Sequence, residues 1–318
     1  MQLVKERPVP DDVVVRLMDN VERSIRGKRK VIELAIVSLL ARGHVLFEDM
    51  PGVGKTTLSL ALARSVGLAF KRIQCTADLL PSDVIGVAIY DQTAQAFSFK
   101  AGPLFSNIVL VDEINRATPK TQSALLEAMG EGTVSVENHV HPLPKPFWLV
   151  ATQNPLDVQG TYSLPENQLD RFLMRLQLGY PDAASEAAIV LKGGAPERAD
   201  GLPAVVTAQE LDTLMAQVEA IKADQSIAEY VVALCQATRE SPHFVIGAST
   251  RAAVALLRAC RSLALVRGRT FVVPDDVSEL WLPVIGHRVI VTQGGRSADR
   301  TATEVALKEI ARRVATPD

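Results

Sequence analysis

The sequence has few cysteines and no closely spaced cysteine pair. Its three cysteines, Cys75, Cys235 and Cys260, lie far apart, and none belongs to a Cys-x-x-Cys motif. Structural zinc sites commonly use such pairs. Cysteine usage therefore argues against a zinc site and favours a reduced, cytoplasmic environment.

The sequence also lacks a strong net charge and a long hydrophobic run. Lys and Arg total 34 and Asp and Glu total 36, so the formal net charge is −2. This balance does not support broad electrostatic binding to nucleic acid. The nearest candidate for a membrane span, residues 31–40, contains Glu33 and is much shorter than the ~20 residues required. Residues 1–7 lack the apolar segment of a signal peptide, so we expect a cytoplasmic protein without a membrane span.

Strand-like and helical patterns alternate in the first part of the chain. Apolar runs predict five strands, at residues 44–47, 69–73, 108–111, 147–152 and 174–178. Their alternation with helices predicts a three-layer αβα domain with a parallel sheet. After residue 181 the character changes, and helices are predicted at residues 211–223, 227–239, 250–268 and 302–314. We therefore expect a core domain at residues 1–181, a linker at residues 182–205 and a helical domain at residues 206–318.

The most informative stretch follows the first predicted strand. A Pro/Gly loop leads there into a helical pattern, and the candidate nucleotide-binding residues are Pro51, Gly52, Val53, Gly54, Lys55, Thr56 and Thr57. Glycines allow backbone N–H groups to turn towards phosphates, and the positive end of the next helix adds to the attraction. In this pattern Lys55 reaches the β- and γ-phosphates and Thr56 holds Mg²⁺. Asp49 stands where the pattern usually has its first glycine. The alternative is a chance Gly-rich turn, which the strand–loop–helix context disfavours.

Two acids, Asp112 and Glu113, follow the apolar strand at residues 108–111. Successive side chains of a strand point in opposite directions, so the two acids are expected to do different jobs. One can hold Mg²⁺ through its water shell, and the other can polarise an attacking water. Adjacent carboxylates are costly to bury without a cation, so a functional pair is favoured over a structural one.

Three further polar residues are candidates for catalysis, and each also has a simple structural explanation. Asn154 follows the strand at residues 147–152 and can hold the nucleophilic water, although taken alone a turn before Pro155 explains it better. Arg171 and Arg251 can offset charge on a transferring phosphoryl group. For either arginine, a surface salt bridge is the alternative.

Local patterns predict a capped helix and two hairpins. Thr118 is a good N-cap, Pro119 suits the first helical position, and Gly130 is expected to end the helix. Hairpins are predicted near residues 87–99 and 134–141. In the second hairpin His139 and His141 share one strand face, but without a third ligand beside them we favour exposed strand residues over a metal site.

Over nearly its whole length the chain resembles the MoxR family of AAA+ ATPases. The matching motifs are the loop at residues 49–57 and residues 43–46, 78–83, 102–105, 112–117, 122–129, 151–155, 164–172 and 247–252. The resemblance implies that Asp112 and Glu113 are the Walker B acids and that Asn154 is sensor 1. It also implies that Arg171 is the arginine finger and Arg251 sensor 2, with Arg175 and Arg116 as nearby alternatives for the finger. The chain departs from the family pattern at Asp49 and at Thr250, where the family often has proline.

The resemblance also implies an architecture and a mode of action. It implies an AAA+ P-loop NTPase core, an all-α lid, ATP with Mg²⁺ between them, and a ring, usually a hexamer. In such a ring the finger of one subunit completes the site of its neighbour, and the two hairpins match family insertions that face the ring axis. Family members resemble chaperones that remodel, mature or activate other proteins, often with a partner that carries a von Willebrand factor A domain.

Our hypothesis is thus a cytoplasmic ATPase that remodels a protein partner. A metal-insertion motor like the magnesium chelatase ATPase, a nucleic-acid motor and a non-hydrolysing nucleotide switch are the alternatives. The balanced charge argues against the nucleic-acid motor, and the presence of Glu113 argues against the switch.

Overall fold

Strands and helices alternate in the first half of the chain, and helices dominate the second half. The computed structural model describes residues 11–93, 95–137, 139–154, 160–191, 198–292 and 300–317. Within them the strands are β1 (His44–Glu48), β2 (Phe70–Gln74), β3 (Gly86–Asp91), β4 (Ala96–Ala101), β5 (Ile108–Asp112), β6 (Thr133–Val136), β7 (His139–Pro142), β8 (Trp148–Gln153), β9 (Phe172–Leu176), β10 (Phe244–Ile246) and β11 (Ile290–Val291). The α-helices are α1 (Asp11–Glu22), α2 (Arg29–Leu40), α3 (Lys55–Ser65), α4 (Pro81–Ile85), α5 (Pro119–Glu131), α6 (Glu166–Leu169), α7 (Ala183–Leu191), α8 (Ala208–Ala220), α9 (Gln225–Glu240), α10 (Thr250–Val266), α11 (Pro274–Ile285) and α12 (Arg300–Arg313).

The central sheet has five parallel strands in the order β2-β5-β8-β1-β9. Alternate residues of each strand enter different apolar cores: Val45 and Phe47 of β1 pack on the side of α2 and α3, and Leu46 packs on the side of α5. Burial on both faces is the condition under which parallel sheets are stable. The predicted three-layer αβα core with a five-stranded parallel sheet is confirmed.

The register of the sheet brings several strand ends to the same edge. Gln74 pairs with Asp112 across β2 and β5, and Glu48 pairs with Gln153 across β1 and β8. The residues that follow β1, β5 and β8 are therefore close in space although far apart in sequence. This edge is where ligands bind in open α/β sheets.

Helix α5 begins as predicted but ends later than predicted. The Thr118 hydroxyl accepts from the Thr121 N–H at 3.4 Å, and Pro119 opens the helix. The prediction that Gly130 ends the helix was wrong, because the helix continues to Glu131 and Gly132 ends it with φ 64°. Gly130 has a different role: a Cβ there would clash with the guanidinium of Arg171.

Two antiparallel hairpins project from the core, β3 with β4 and β6 with β7. His141 of β7 stacks on Phe99 of β4 with ring centroids 4.0 Å apart, so the two hairpins touch. His139 is exposed, and no cluster of three or more metal-ligating side chains surrounds it among the described residues. Asn138, within the hairpin predicted near residues 134–141, lies outside the described residues.

The helices that follow the core pack against it through α2 and form the lid region. The Ser262 hydroxyl of α10 donates to the Val37 carbonyl of α2 at 2.8 Å, and α8 and α10 share the apolar core of α2. Helix α11 and the small β10–β11 sheet were not predicted, and α7 lies in the segment expected to be a linker. No described helix is long and apolar enough to cross a membrane.

Candidate active site

A pocket of about 330 Å³ opens where β1, β5 and β8 end, and we call it the strand-end pocket. It is lined by Pro51, Gly52, Gly54, Lys55, Thr56, Thr57, Arg72, Asp112, Glu113, Thr152 and Asn154. The lining combines a glycine-rich loop, an ammonium group, two carboxylates and an amide. Most residues predicted for nucleotide binding and catalysis are thus brought together, although they come from distant parts of the sequence.

The loop before α3 has the backbone conformation that a phosphate cradle requires. Gly52 and Gly54 have φ of 84° and 99°, in the left-handed region that glycine tolerates best. The space beside Gly52 is open, so it is the backbone conformation that favours glycine there. Helix α3 begins at Lys55, directly after the loop, and its free N–H groups suit an anion. The Val53 side chain is buried in the core, so only its backbone is available to a ligand.

Lys55 is buried and holds its ammonium group on the loop itself. Its Nζ donates to the carbonyl oxygens of Asp49 at 2.8 Å and Met50 at 3.1 Å. Burial lowers the pKa of Lys55, while the charges of Asp49, Asp112 and Glu113 oppose that shift. Both acceptors are neutral carbonyls, so phosphate oxygens would be stronger partners for this ammonium.

Asp112 ends β5 and is nearly buried. The Thr152 hydroxyl donates to Oδ1, and Arg72 donates to Oδ2 through Nε at 3.1 Å and Nη2 at 2.6 Å. A carboxylate removed from water needs such partners. The hydrogen bonds fix its orientation at the mouth of the pocket.

Glu113 has an unusual backbone conformation. Its φ of 56° lies in the left-handed region, which is strained for a residue with a Cβ. Its N–H donates to the Thr152 hydroxyl at 2.9 Å, and its carboxylate pairs with Arg116 at 3.1 Å. Thr152 therefore contacts both acids. The turn separates the Glu113 carboxylate from that of Asp112 and exposes it partly to solvent.

The donors in the strand-end pocket fit a hard divalent cation. Thr56 supplies a hydroxyl oxygen and Asp112 a carboxylate oxygen, and both line the same pocket. Mg²⁺ prefers oxygen ligands and usually retains several waters beside one or two carboxylates and the substrate phosphates. The predicted cation site is thus compatible with the residues present.

The predicted finger, Arg171, does not line the strand-end pocket of its own chain. It is exposed, and its Nη1 donates to the Leu126 carbonyl of α5 at 2.7 Å. Of the two alternatives, Arg175 is nearly buried and pairs with Glu48 at 3.3 Å, while Arg116 pairs with Glu113. Arg171 is therefore better placed than Arg175 to reach another chain.

Arg251, at the start of α10, also stays outside the lining of this pocket. Its side chain is 74% exposed, and its Nη1 lies 3.5 Å from Oδ2 of Asp170. The same carboxylate receives a 2.8 Å hydrogen bond from the buried Arg288, whose pKa burial lowers to about 10. Asp170, the residue that precedes Arg171, is thus linked to the lid region through Arg251 and Arg288.

Two residues of the pocket, Arg72 and Thr152, were not singled out from the sequence. Arg72 reaches Asp112 only because β2 pairs with β5 in the observed register. Strand alternation gives a partial signal, since Arg72 and Gln74 share a face, and Gln74 pairs with Asp112. Thr152 stands in the sequence motif that contains Asn154, but its hydrogen bonds to two acids depend on strand order.

Comparison with known proteins agrees with the fold. A profile of the ATPase family associated with various cellular activities matches residues 44–174, and a profile of the AAA lid domain matches residues 236–310. The chain is 46% identical to the uncharacterised protein YeaC of Bacillus subtilis (strain 168), over 87% of this chain and 86% of that protein.

Two further relatives cover most of both chains. Chaperone MoxR1 of Mycobacterium tuberculosis is 40% identical over 95% of this chain and 82% of its own length. A protein of Cytophaga hutchinsonii with a solved crystal structure is 34% identical, covers 97% of this chain and 96% of its own, and superposes with a TM-score of 0.87. With two matched domain profiles, a phosphate-loop pocket and relatives alike over nearly their full length, the chain belongs to the MoxR family of AAA+ ATPases.

Proposed function

We propose that the strand-end pocket binds ATP with Mg²⁺ and hydrolyses its terminal phosphate. The observation that carries the proposal is that Lys55, Asp112 and Glu113 converge on one pocket beside a glycine-rich loop. ATP hydrolysis requires positioned positive charge, a held cation and a group that orients water. The pocket offers a residue for each requirement.

Each residue has a distinct role in this proposal. Lys55 moves from the two backbone carbonyls to the β- and γ-phosphates, and Thr56 and Asp112 hold the cation. When bound, Mg²⁺ neutralises charge on the phosphate oxygens. Glu113 polarises the attacking water, and Asn154 holds that water in line.

Two variants separate binding from hydrolysis. Lys55→Ala should abolish tight ATP binding, because the phosphates lose a charge-assisted partner. Glu113→Gln should retain ATP binding and lose hydrolysis by about 10²–10⁴-fold, because the amide cannot act as a base. Isothermal titration and phosphate release measure the two effects, and the exposed Glu131→Gln is the matched control. Hydrolysis at the wild-type rate by Glu113→Gln would refute the assigned base.

We also propose that the active form is a hexameric ring in which Arg171 completes the nucleotide site of the neighbouring subunit. The exposure of Arg171 and its absence from its own pocket lining support this arrangement. In the ATP state Arg251 leaves Asp170 and approaches the nucleotide as sensor 2. The hairpin pairs β3–β4 and β6–β7 face the ring axis.

The proposed substrate of the ring is a protein that it remodels, matures or activates, rather than a nucleic acid. The name of the relative chaperone MoxR1 supports a chaperone-like role. The exposed hairpin side chains Tyr90, Phe97 and Val140 support contact with apolar segments of a protein. The proposed helper carries a von Willebrand factor A domain. All three cysteines are free and buried, which suits a cytoplasmic location.

The partner proposal is tested with the intact protein. Its ATPase rate should change when a protein with a von Willebrand factor A domain is added, and single- or double-stranded DNA should leave it unchanged. Strong stimulation by DNA that weakens as salt rises would instead favour a nucleic-acid motor, because phosphate contacts are salt-sensitive.

A further inference from the structure

Asp49, which replaces the usual first glycine of the loop, connects three parts of the molecule. Its N–H donates to the Gln153 carbonyl at the end of β8 at 3.1 Å. Its own carbonyl accepts from Lys55 Nζ at 2.8 Å. Its carboxylate oxygen Oδ2 accepts from the N–H groups of Leu178 at 2.6 Å and Gly179 at 2.8 Å.

These contacts are unusual for a position that only shapes a loop. The side chain of Asp49 is 7% exposed, and Oδ1 accepts from the N–H of Met50 at 3.1 Å. A buried carboxylate is costly unless several donors satisfy it. The φ of Asp49 is not positive. Glycine is therefore not needed here for conformation, and the carboxylate provides contacts that glycine lacks.

The two residues held by Asp49, Leu178 and Gly179, belong to the exit segment, residues 178–180, which lies between β9 and α7. Leu178 is buried and packs near Gly54 of the loop, together with Ile25. Gly179 has φ 63°, and Lys28 Nζ donates to the Tyr180 carbonyl at 2.5 Å. The exit segment is thus held between the phosphate loop and the turn after α1. Through α7 it continues to the lid region.

We propose that Asp49 couples occupancy of the phosphate loop to the position of the exit segment, as a positioning residue. The inference rests on the proposed function, since coupling requires a bound nucleotide. When phosphates attract Lys55 Nζ, the Asp49 carbonyl loses its ammonium partner. The carbonyl and the carboxylate belong to one residue, so a change at the carbonyl is transmitted to the N–H groups of Leu178 and Gly179. The exit segment then receives the state of the site through the hydrogen bonds of Asp49.

Hydrogen exchange of the exit-segment amides in the full-length chain tests the coupling. The wild-type protein is compared with Asp49→Gly and Asp49→Asn, with and without Mg²⁺ and a non-hydrolysable ATP analogue. Asp182→Asn is the matched control, since it removes an exposed carboxylate just beyond the exit segment. In the wild type and the control, the analogue should change exchange at residues 178–179 by about tenfold.

Asp49→Gly should keep the ATP dissociation constant within about threefold of wild type. It should lose most of the nucleotide-dependent change in hydrogen exchange, and its kcat should fall on the order of tenfold. Asp49→Asn should give a smaller loss, because the amide retains one acceptor oxygen. It also keeps the test decisive if the glycine variant unfolds.

Three results would contradict the proposal in distinguishable ways. If wild-type protein fails to bind ATP, the proposed function fails and the coupling fails with it. If wild type binds ATP but both Asp49 variants respond to the analogue as wild type does, only the coupling is wrong. If Asp49→Gly folds but loses ATP binding, Asp49 serves the nucleotide directly and is not a coupling residue.

Discussion

Two pockets lie at opposite ends of the parallel strands and differ in their chemistry. The strand-end pocket measures about 330 Å³ and is lined mainly by charged and polar groups. The second, which we call the amino-end pocket, measures about 440 Å³. It is lined mostly by apolar side chains near the starts of β1 and β8, including Leu39, Met129, Phe147 and Met215.

A buried histidine shows how the amino-end pocket differs. The ring nitrogens of His44 contact the Met129 carbonyl at 3.1 Å and the Leu149 N–H at 3.0 Å. Since Nδ1 accepts from Leu149, Nε2 carries the proton and donates to Met129. Burial lowers the pKa of His44 to about 4. The ring is neutral and its hydrogen bonds are satisfied, as expected of a structural group.

The two pockets differ in the state of their polar groups more than in their volume. In the strand-end pocket, Lys55 is held by neutral carbonyls and Glu113 adopts a strained backbone. Phosphate oxygens would be stronger partners for the Lys55 ammonium than these carbonyls. In the amino-end pocket the polar ring is already paired inside an apolar wall. The smaller pocket therefore fits the proposed chemistry better than the larger one does.

Removal of Arg171 should have the largest effect on the rate of ATP hydrolysis. The strand-end pocket of one chain lacks this residue, so the variant tests whether the pocket needs a neighbouring chain. Arg171→Ala should lower kcat on the order of 10³–10⁵-fold and retain ATP binding. The exposed guanidinium would stabilise charge on the γ-phosphate bound by the neighbour. Phosphate release and ATP titration measure the two quantities, and the exposed Arg198→Ala is the control.

Mixed rings test whether Arg171 acts on the neighbouring subunit. Arg171→Ala and Glu113→Gln proteins, each nearly inactive alone, should regain some activity when their subunits exchange. Some interfaces then pair an intact Glu113 with an intact Arg171. A mixture that stays inactive despite demonstrated exchange would count against this role. Repeating it with Arg175→Ala tests the alternative finger.

Enlarging the amino-end pocket should give the next largest effect, which is a loss of folding stability without a change in activity. Met215 of α8 is buried and lines this pocket. Met215→Ala should lower the free energy of unfolding by about 2–5 kcal/mol, because it removes buried methylene groups and leaves a cavity. Urea unfolding measures that loss, and kcat per folded molecule should be unchanged. A fall in kcat without a loss of stability would break the distinction between the two pockets.

His44 should make the folding stability of the protein sensitive to acid. Its folded-state pKa of about 4 lies below the value of 6.5 expected without burial. Its contribution to stability is therefore fully present above pH 6.5 and is lost as the pH falls towards 4. The full difference is about 3 kcal/mol.

His44→Gln is the matched variant, because an amide can still accept from Leu149 and donate to Met129. His287 is buried too, with its pKa lowered chiefly by burial, so the informative quantity is the difference between variant and wild type. Unfolding free energies measured from pH 7 to pH 4 should fall less steeply in the variant. Equal slopes would contradict the assignment to His44.

Many residues of the strand-end pocket could be predicted, because adjacent residues in the sequence indicate their positions. The apolar run before Asp112 and the glycines before Lys55 each predict a strand end or a loop from adjacent residues. Other features depend on register and packing. His44 contacts carbonyl and amide groups 85 and 105 positions away, and Gly130, expected to end a helix, instead leaves room for Arg171. Helix α11 was missed because Pro274 and Pro283 interrupt its pattern, although Pro274 only opens the helix.

The proposed role of Glu113 is to drive hydrolysis of ATP held in the strand-end pocket. The most direct measurement is the identity of the nucleotide that remains bound after wild-type, Glu113→Gln and Glu131→Gln proteins are incubated with Mg²⁺ and ATP. Rapid separation of the protein followed by chromatography should recover mainly ADP from wild type and Glu131→Gln, and mainly intact ATP from Glu113→Gln. Recovery of ADP from Glu113→Gln at the wild-type rate would show that Glu113 is not the group that drives hydrolysis.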